Sequence, residues 1–388
     1  MRKIIDECFF QIQNGANIKQ GKVDGGFPIT RIETIANDRF NRDRMGYAGI
    51  TDLSKYESYI LEDEDLLMSH INSMQYLGRT VLYKKQDDEI IIHGMNLLRL
   101  RANRDIIIPG YAKYYFYGHS FRSQLRNIMK KSVNQASFAV KDLKKIKMEI
   151  PCLREQQKLV QVLDKIQKII DVKTKEIAKF DELVSARFVE MFGDPITNSK
   201  LLPIEKIEER YFLKAGITTK AEDIHDYLKD KYEIPCYGGN GIRGYVENLS
   251  YEGCYPIIGR QGALCGNVQY ATGKFHATEH AVLVSILKND NTMWVYYMLK
   301  LMDLYRYHTG AAQPGLAVKK LNTIDVIVAD INLQNQFATF VHQVNKSKFV
   351  IHKFLYCTTH NTKSIIKPRL NTKESGKIRG GKPHADEF

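Results

Sequence analysis

The chain has 388 residues, of which 44% are hydrophobic and 26% charged, and its net charge is +13. This length predicts two or three domains, each large enough to bury its own core. No run of eighteen apolar residues occurs, which excludes a membrane-spanning helix, and the start "MRKIIDECFF" meets charge too early for a secretory signal. The six cysteines lack metal-ligand spacing, so we expect reduced thiols and a cytoplasmic protein.

The positive charge is unevenly distributed along the chain. Residues 1–150 hold 24 Lys and Arg against 18 Asp and Glu, residues 193–331 hold 15 against 16, and residues 332–388 hold 10 against 3. Residues 99–147 alone contain twelve basic and two acidic side chains, with tyrosines among them in "YAKYYFYGHSFRSQLRNIMKK". Aromatic residues among basic ones favour nucleic-acid binding, although a solvated basic face is the alternative.

An internal repeat organises the chain. Residues 135–168, "QASFAVKDLKKIKMEIPCLREQQKLVQVLDKIQK", align without a gap on residues 313–346, "QPGLAVKKLNTIDVIVADINLQNQFATFVHQVNK". The constant offset is 178 residues, and Gln156 falls on Gln334. Each copy predicts a polar turn, a short strand-like run and then a helix.

Both predicted helices carry apolar residues at alternating spacings of four and three. This is the a/d stripe of helices that pack on each other, whereas a single amphipathic helix packed on a domain is the alternative. The first helix, about 40 residues at about 1.5 Å each, has a length of roughly 60 Å. The predicted packing positions are Leu159, Leu163, Ile166, Ile170, Ile177, Val184, Phe337, Val341, Val344, Ile351 and Leu355.

A β-rich, glycine-punctuated block precedes each helix. The first contains "GGFPITRIETI" and the second contains "EIPCYGGNGIRGYVE" and "CYPIIGRQGALCGNVQY". Weaker parallels link "HGMNLLRLR" to "TEHAVLVSI", and the step Phe27-Pro28 to Ile234-Pro235. The sequence therefore predicts the order domain, helix, domain, helix.

These segments carry a specific resemblance. "IPCLREQQKLVQVLDKIQKIIDVKTKEIAKFDELVSARFVEMFGDP" resembles the central conserved region of the specificity subunits of type I restriction–modification systems. The segments "IPCYGGNGIRGYVE", "YPIIGRQGALCGNV" and "HATEHAVLV" resemble one class of their target-recognition domains, and "GGFPITRIETI" resembles another. The resemblance spans about residues 15–356.

The resemblance implies an α/β (α+β) fold with two target-recognition domains separated by two long antiparallel coiled-coil helices, related by a pseudo-twofold repeat. Each domain would read one half of a bipartite site on double-stranded DNA, and the helices would set the spacer. Two modification (M) methyltransferase subunits and the restriction (R) subunits would be partners. S-adenosylmethionine, ATP and Mg would belong to those partners, and no cofactor to this chain.

The predicted boundaries follow from the repeat and the resemblance together. They are a first target-recognition domain at 1–150, a central helix at 151–193, a second domain at 194–330, a second helix at 331–357 and a basic, disordered tail at 358–388. The second helix departs from the family pattern because its apolar register is lost after Leu355 and no second "DELVSARFVEMFG" follows. By the resemblance, this departure would affect how firmly one M subunit binds.

Catalytic motifs do not emerge from the chain. It lacks the Asn-Pro-Pro-aromatic or Asp-Pro-Pro-aromatic tetrapeptide of amino-methyltransferases and the GxxxxGK[ST] phosphate loop. The segment "HATEH" matches a zinc-peptidase signature through His276, Glu279 and His280, but its flanks predict strands, whereas that signature needs a helix. We therefore expect a non-catalytic chain without a metal site.

Candidates for base recognition are polar residues in loops bounded by Gly or Pro. Lys and Arg on phosphates give affinity, whereas Arg on guanine and Asn or Gln on adenine give specificity. A surface or loop-stabilising role is the alternative for each one. The candidates are Thr30, Arg31, Glu33, Arg42, Arg44, Ser69 and Asn72 in the first domain, and Tyr237, Asn240, Arg243, Arg260, Gln261 and Lys274 in the second.

Two other functions compete with the specificity-subunit hypothesis. A nucleic-acid-binding scaffold without sequence preference would show steep salt dependence and no bipartite motif. An autonomous nuclease or peptidase would be active by itself with a divalent metal.

Overall fold

The computed structural model describes residues 1–21, 25–133, 135–228, 231–310 and 314–365, the side chains of 359–365 excepted. It divides into two compact units. The first comprises Met1–Val172 and the chain from Phe354, and the second comprises Lys173–Lys353. No helix among the described residues is long and apolar enough to cross a membrane.

The first unit combines short antiparallel sheets with helices. Strands pair in the orders β2-β6-β3-β5 and β4-β8-β7, and β1 pairs with β9. Its strands are β1 (Arg2–Ile4), β2 (Phe9–Asn14), β3 (Leu66–Ser69), β4 (Ile71–Asn72), β5 (Thr80–Leu82), β6 (Leu97–Ala102), β7 (Lys130–Lys131), β8 (Ala136–Ser137) and β9 (Lys147–Glu149). Its short helices are α1 (Ile5–Cys8), α2 (Pro109–Tyr117), α3 (His119–Ile128) and α4 (Val140–Leu143).

The second unit holds a six-stranded sheet in the order β11-β16-β14-β15-β12-β13, and a β10–β17 pair. Its strands are β10 (Ile204–Lys206), β11 (Tyr211–Ala215), β12 (Ile234–Gly238), β13 (Gly241–Val246), β14 (Tyr251–Gly259), β15 (Val268–Ala277), β16 (Ala281–Ile286) and β17 (Asp325–Ile327). Its short helices are α6 (Ile207–Arg210), α7 (Thr292–Leu301) and α8 (Val318–Asn322). The mixed α/β class expected from the sequence is confirmed.

The repeat begins earlier than the sequence comparison indicated. Two further segments match, "KIIDECFF" (Lys3 to Phe10) and "EKIEERYF" (Glu205 to Phe212). Each contains the last two residues of a strand, one helical turn and the start of the next strand. The Glu7 carboxylate accepts from the Ile4 amide at 2.8 Å, and the Glu209 carboxylate accepts from the Lys206 amide at 3.0 Å. These two segments share a Glu that caps one helical turn, a short signal that our alignment missed.

The repeated residues Gln156 and Gln334 are fully buried and make equivalent hydrogen bonds in the two units. Gln156 Oε1 accepts from the Ile108 amide at 2.8 Å, directly before α2, and Gln334 Oε1 accepts from the Asn291 amide at 2.8 Å, directly before α7. Their Nε2 groups donate to the carbonyls of Pro151 and Ala329, both at 3.0 Å. One buried amide thus ties the start of each long helix to the start of a domain helix.

The long helices are α5 (Leu153–Phe192) and α9 (Ile331–Ile365). The first agrees with the predicted 151–193 to within two residues. The second continues eight residues beyond the predicted end at 357, which was therefore wrong. The added stretch "TTHNTKSI" contains neither Gly nor Pro, and the first proline after it is Pro368, so nothing local stops the helix. The remainder of the predicted tail, like Gln313 of the repeat, lies outside the described residues.

Within the second unit, parts of the two long helices pack antiparallel. Phe188 and Phe192 of α5 contact Phe337 of α9, at ring distances of 5.3 and 5.9 Å, and Lys348 pairs with Asp181 at 2.6 Å. Every predicted packing position is buried or half-buried. Of these, Val184, Phe337, Val341 and Val344 share one core cluster with α7 and the six-stranded sheet, and Leu159 packs on the core of the first unit.

Replacing Gln334 by Ala removes the acceptor of the Asn291 amide and the donor that Gln334 Nε2 supplies to the Asp290 carboxylate at 2.7 Å. We expect a loss of about 2–3 kcal/mol in the free energy of unfolding, measured by denaturant titration. Gln343→Ala, on an exposed position of the same helix, should change it by less than about 0.5 kcal/mol. Equal effects of both substitutions would contradict the role assigned to the buried amide.

Candidate nucleic-acid interface

Several loops of the second unit meet where strands β12, β14 and β15 of the six-stranded sheet end. We call this end of the strands the edge. A Cβ on Gly259 would lie 2.1 Å from the Gly239 carbonyl oxygen, so the β12–β13 turn and the end of β14 touch backbone to backbone. The Arg260 amide donates to the His280 carbonyl at 3.1 Å, and its carbonyl accepts from the Leu316 amide at 2.8 Å. The loops 237–243 and 259–262, separate in the sequence, therefore meet the β15–β16 turn at one place.

Three buried side-chain atoms at this edge lack a hydrogen-bond partner among the described residues. They are Arg260 Nε, Thr278 Oγ1 and His280 Nδ1. Buried polar atoms are nearly always paired, so each exception calls for a cause. Three such atoms on two adjoining loops make this edge a candidate for contacts with a ligand.

The other candidates in the second unit differ in exposure and in the contacts that their side chains make. Arg243 is exposed on β13 beside Gly238, and Asn240 is exposed in the turn, where its side chain accepts from Asn267. Gln261 is exposed and its backbone pairs with Gly315. The ring of Tyr237 instead packs on the ring of Phe275, with 5.5 Å between the ring centroids.

Lys274 does not belong to this edge. It lies opposite Glu252, near the start of β14, eight residues along the strand from Arg260. Lys274 was selected for its positive charge in a nearly neutral domain, and the strand register that places it away from the edge is not visible in composition.

The first unit builds the same edge from different residues. The Gly78 amide donates to the Ser69 carbonyl at 2.8 Å, as the Gly266 amide donates to Gly259 at 2.7 Å. Ser69 pairs with Leu97 of β6, and Gly259 pairs with Ala281 of β16. Ser69 and Gly259 are therefore equivalent positions.

The next residues, His70 and Arg260, are equivalent as well. The Phe138 amide donates to the His70 carbonyl at 3.2 Å, and the Leu316 amide donates to Arg260 at 2.8 Å. Phe138 and Leu316 are themselves 178 residues apart, at the offset of the repeat. The parallel between "HGMNLLRLR" and "TEHAVLVSI" holds with a shift of one residue, since Leu97 corresponds to Ala281.

Two candidates of the first unit are internal. Thr30 is fully buried, where its Oγ1 accepts from the Gly94 amide at 2.9 Å. Ser69 is also fully buried and donates to the Tyr76 carbonyl at 2.7 Å. The expectation that these two side chains face a ligand was wrong, because their hydroxyls satisfy backbone groups of the fold.

The remaining candidates of the first unit fall into two places. Arg31, Glu33 and Arg44 are exposed and close together, because the Thr34 hydroxyl joins the Arg31 amide to the Arg44 carbonyl. Asn72 lies half-buried on β4, one residue beyond the position that pairs with Ser137. The structure therefore brings the 31–44 loops together, whereas residues 69–72 belong to the end of β3 and to β4.

Arg42 is held by the fold. Its guanidinium donates to both carboxylate oxygens of Glu89 and to the Lys84 carbonyl, and it lies over the rings of Phe40 and Tyr83. Hydrogen bonding to Arg42 lowers the pKa of Glu89 to about 2. Base recognition by Arg42 was therefore a mistaken prediction.

The basic stretch 99–147 is only partly available to a polyanion. Arg99 is fully buried, Arg101 pairs with Asp65 at 2.9 Å, and Arg122 donates to the Leu77 carbonyl. The tyrosines interleaved with these charges pack into the core of the unit: Tyr111, Tyr114 and Tyr115 are buried. These buried tyrosines do not present rings to a nucleic acid, so they do not support the nucleic-acid binding that the interleaved pattern favoured. Arg104 pairs with Glu64 at 3.1 Å, and exposed basic residues are left at Arg126, Lys130, Lys131, Lys141, Lys145 and Lys147.

The segment "HATEH" does not form a metallopeptidase site. His276 is buried at the end of β15 and hydrogen-bonds to the hydroxyls of Thr219 and Ser250, and burial lowers its pKa. His280 lies in the following turn, 3.3 Å from Glu279. The two histidines occupy a strand and a turn rather than one helical face, and the described residues contain no cluster suited to a metal ion.

Comparison with known proteins gives this architecture a family. A family model described as the type I restriction modification DNA specificity domain matches residues 7–181 and 213–355. The chain belongs to this family, and the two matched segments fall on the two repeated units.

Individual relatives agree. The chain is 35% identical over 251 residues to the type I restriction enzyme EcoprrI specificity subunit of Escherichia coli, a match that covers 59% of this chain and 60% of that protein. It is 23% identical over 192 residues to the EcoKI specificity subunit of Escherichia coli strain K12, covering 48% and 41%. The chain thus spans about half the length of these relatives.

Two solved structures share the fold. A type I restriction–modification S subunit from M. genitalium superposes with a TM-score of 0.54 at 15% identity, covering 96% of both chains. A chain from a structure of the type I R–M system, described by its complex assembly and conformational transition, gives 0.55 at 12% identity, covering 94% of this chain and 96% of that one.

The role assigned to Arg42 can be tested through its partner. Because the pKa of Glu89 is lowered, its ionised form stabilises the fold above pH 4.5, and this stabilisation is lost as pH falls toward 2. Glu89→Gln should lower the free energy of unfolding by about 1–2 kcal/mol at pH 7, and the difference from wild type should disappear near pH 2. Denaturant titrations at several pH values would measure this, with the exposed Asp88→Asn as control. A pH-independent difference would contradict the assignment.

Proposed function

We propose that the chain is the DNA specificity subunit of a type I restriction–modification complex and reads a bipartite site on double-stranded DNA. One observation carries this proposal: the same loop edge, with unpartnered polar atoms, is built twice from one repeated fold. Two similar readers on one chain suit a target with two specific halves. The different side chains on the two edges suit halves of different sequence.

The polar character of each edge fits direct recognition of bases better than uniform attraction to phosphate. A scaffold without sequence preference needs exposed cations, whereas the second unit is close to neutral and places only a few at its edge. Exposed lysines of the first unit, such as Lys130 and Lys131 on β7, supply phosphate contacts there. Affinity and specificity therefore reside on different residues.

The partners follow from the family. Specificity subunits serve complexes, and we propose that this chain positions modification subunits, which hold S-adenosylmethionine, and restriction subunits, which use ATP and Mg. Its own contribution is non-catalytic: it binds DNA, and its helices set the gap between the two halves.

Methylation mapping tests the proposal. Co-expression with the cognate modification subunit should place N6-methyladenine in a motif of two short specific halves around a fixed gap, detected by long-read sequencing of host DNA. The control is the modification subunit expressed alone. Salt-dependent DNA binding without any motif would support the scaffold instead, and nuclease or peptidase activity of the chain alone would support the autonomous enzyme.

The length of the long helices should set the gap. Deleting residues 167–173 and their repeat mates 345–351 removes one heptad from each helix and shortens it by about 10 Å. At roughly 3.4 Å per base pair, the mapped motif should lose about three unspecified base pairs and keep both halves. Lys168→Ala with Lys175→Ala, which preserves length at exposed positions, should leave the motif intact. Altered bases in either half would refute this role of the helices.

A further inference from the structure

The equivalent positions His70 and Arg260 share an unusual property. Each follows the last residue of a central strand, and each has its backbone carbonyl engaged by a residue of the repeated segment, Phe138 or Leu316. Each also carries a buried side-chain nitrogen without a partner among the described residues, namely His70 Nδ1 and Arg260 Nε. Unrelated side chains at one repeated position thus offer free hydrogen-bonding groups in the same place.

Arg260 offers a donor. Its backbone is held from both sides by His280 and Leu316, so the root of the side chain is fixed. The residue is half-buried, which limits the number of directions in which the guanidinium can point. Thr278 Oγ1 and His280 Nδ1, also unpartnered, lie on the adjoining turn. A guanidinium that starts from a fixed backbone and has an unpartnered Nε can present two parallel N–H groups to the O6 and N7 acceptors of guanine.

His70 offers an acceptor. Its ring packs edge-on against Phe138 at 6.4 Å, and burial lowers its pKa, so the imidazole is neutral near pH 7. Nδ1 of this ring is buried and has no hydrogen-bond partner among the described residues. When one nitrogen of a neutral imidazole donates, the other accepts. In the tautomer whose Nδ1 is the acceptor, this nitrogen suits an amino group, as on N4 of cytosine or N6 of adenine.

We propose that His70 and Arg260 are corresponding specificity-determining residues, one per half-site: Arg260 reads a guanine, and His70 reads an amino-bearing base, cytosine or adenine. This rests on the proposed function, since it names the bases that the two edges recognise. It also separates these two positions from the exposed arginines and lysines around them, which contact phosphate.

Atom-level replacement of the DNA tests the proposal on the unaltered protein. The wild-type complex of this chain with its modification subunit is titrated with duplexes of its mapped motif, in which each guanine in turn is replaced by 7-deazaguanine. One guanine in one half should show a roughly tenfold loss of affinity. With Arg260→Lys, which keeps the charge but not the planar fork, that substitution should carry no further penalty.

Motif mapping supplies the second arm. Arg260→Gln should relax or change one base in one half-site and leave the other half intact, whereas His70→Ala should affect only the other half. Lys274→Ala, opposite Glu252 on its strand, and His119→Ala, at the start of α3, change exposed residues outside the two loops and should leave both halves unchanged. Melting temperatures identify any variant that fails to fold, and the titration with wild-type protein decides in that case.

The outcomes separate the two proposals. If the wild-type complex gives a bipartite motif but no guanine replacement matters, or if its penalty persists in full with Arg260→Lys, the assignment of Arg260 is overturned and the proposed function stands. An unchanged motif with folded His70→Ala overturns the assignment of His70. If wild type gives no motif at all, the proposed function itself fails.

Discussion

The buried amide at Gln156 and at Gln334 is the constraint on which each unit depends. Each amide satisfies a backbone N–H in front of a domain helix and donates to the carbonyl that precedes a long helix. Because an unpaired buried amide is costly, the two helices can meet only in the arrangement that completes these bonds. The globular part of each unit is thereby fixed to the start of its long helix, and the loops at the sheet edge are fixed with it.

Charge in this protein has two separate uses. The guanidinium groups of Arg99, Arg101 and Arg42 hydrogen-bond to carboxylates and carbonyls inside the first unit and so join strands and loops. Arg260 hydrogen-bonds to the fold through its backbone, and no hydrogen bond or ion pair of its guanidinium occurs among the described residues. An arginine already paired in the fold cannot read a base without losing those bonds, whereas an arginine with a fixed backbone and a free head is preorganised to do so.

The two edges are equivalent in backbone and different in side chains. Backbone hydrogen bonds at Ser69 and Gly259 are the same, while the side chains that follow them differ in size, charge and hydrogen-bonding sense. The two edges therefore share their backbone geometry, and under the proposed function their differing side chains would decide which base each edge accepts. Such separation lets a half-site change without disturbance to the core, because the strands carry the apolar residues.

The sequence by itself determined the repeat, the two long helices and the family, because these features depend on periodicity and local identity that persist along the chain. Gln156 and Gln334 were visible as one repeated pair, although not their role, since burial and partners depend on residues about 45 positions away. Only the tertiary structure decided that Thr30, Ser69 and Arg42 serve the fold, that Tyr111 and its neighbours lie in the core, and that His70 corresponds to Arg260. These distinctions rest on which groups meet across strands and loops, and residue type and spacing carry no record of such contacts.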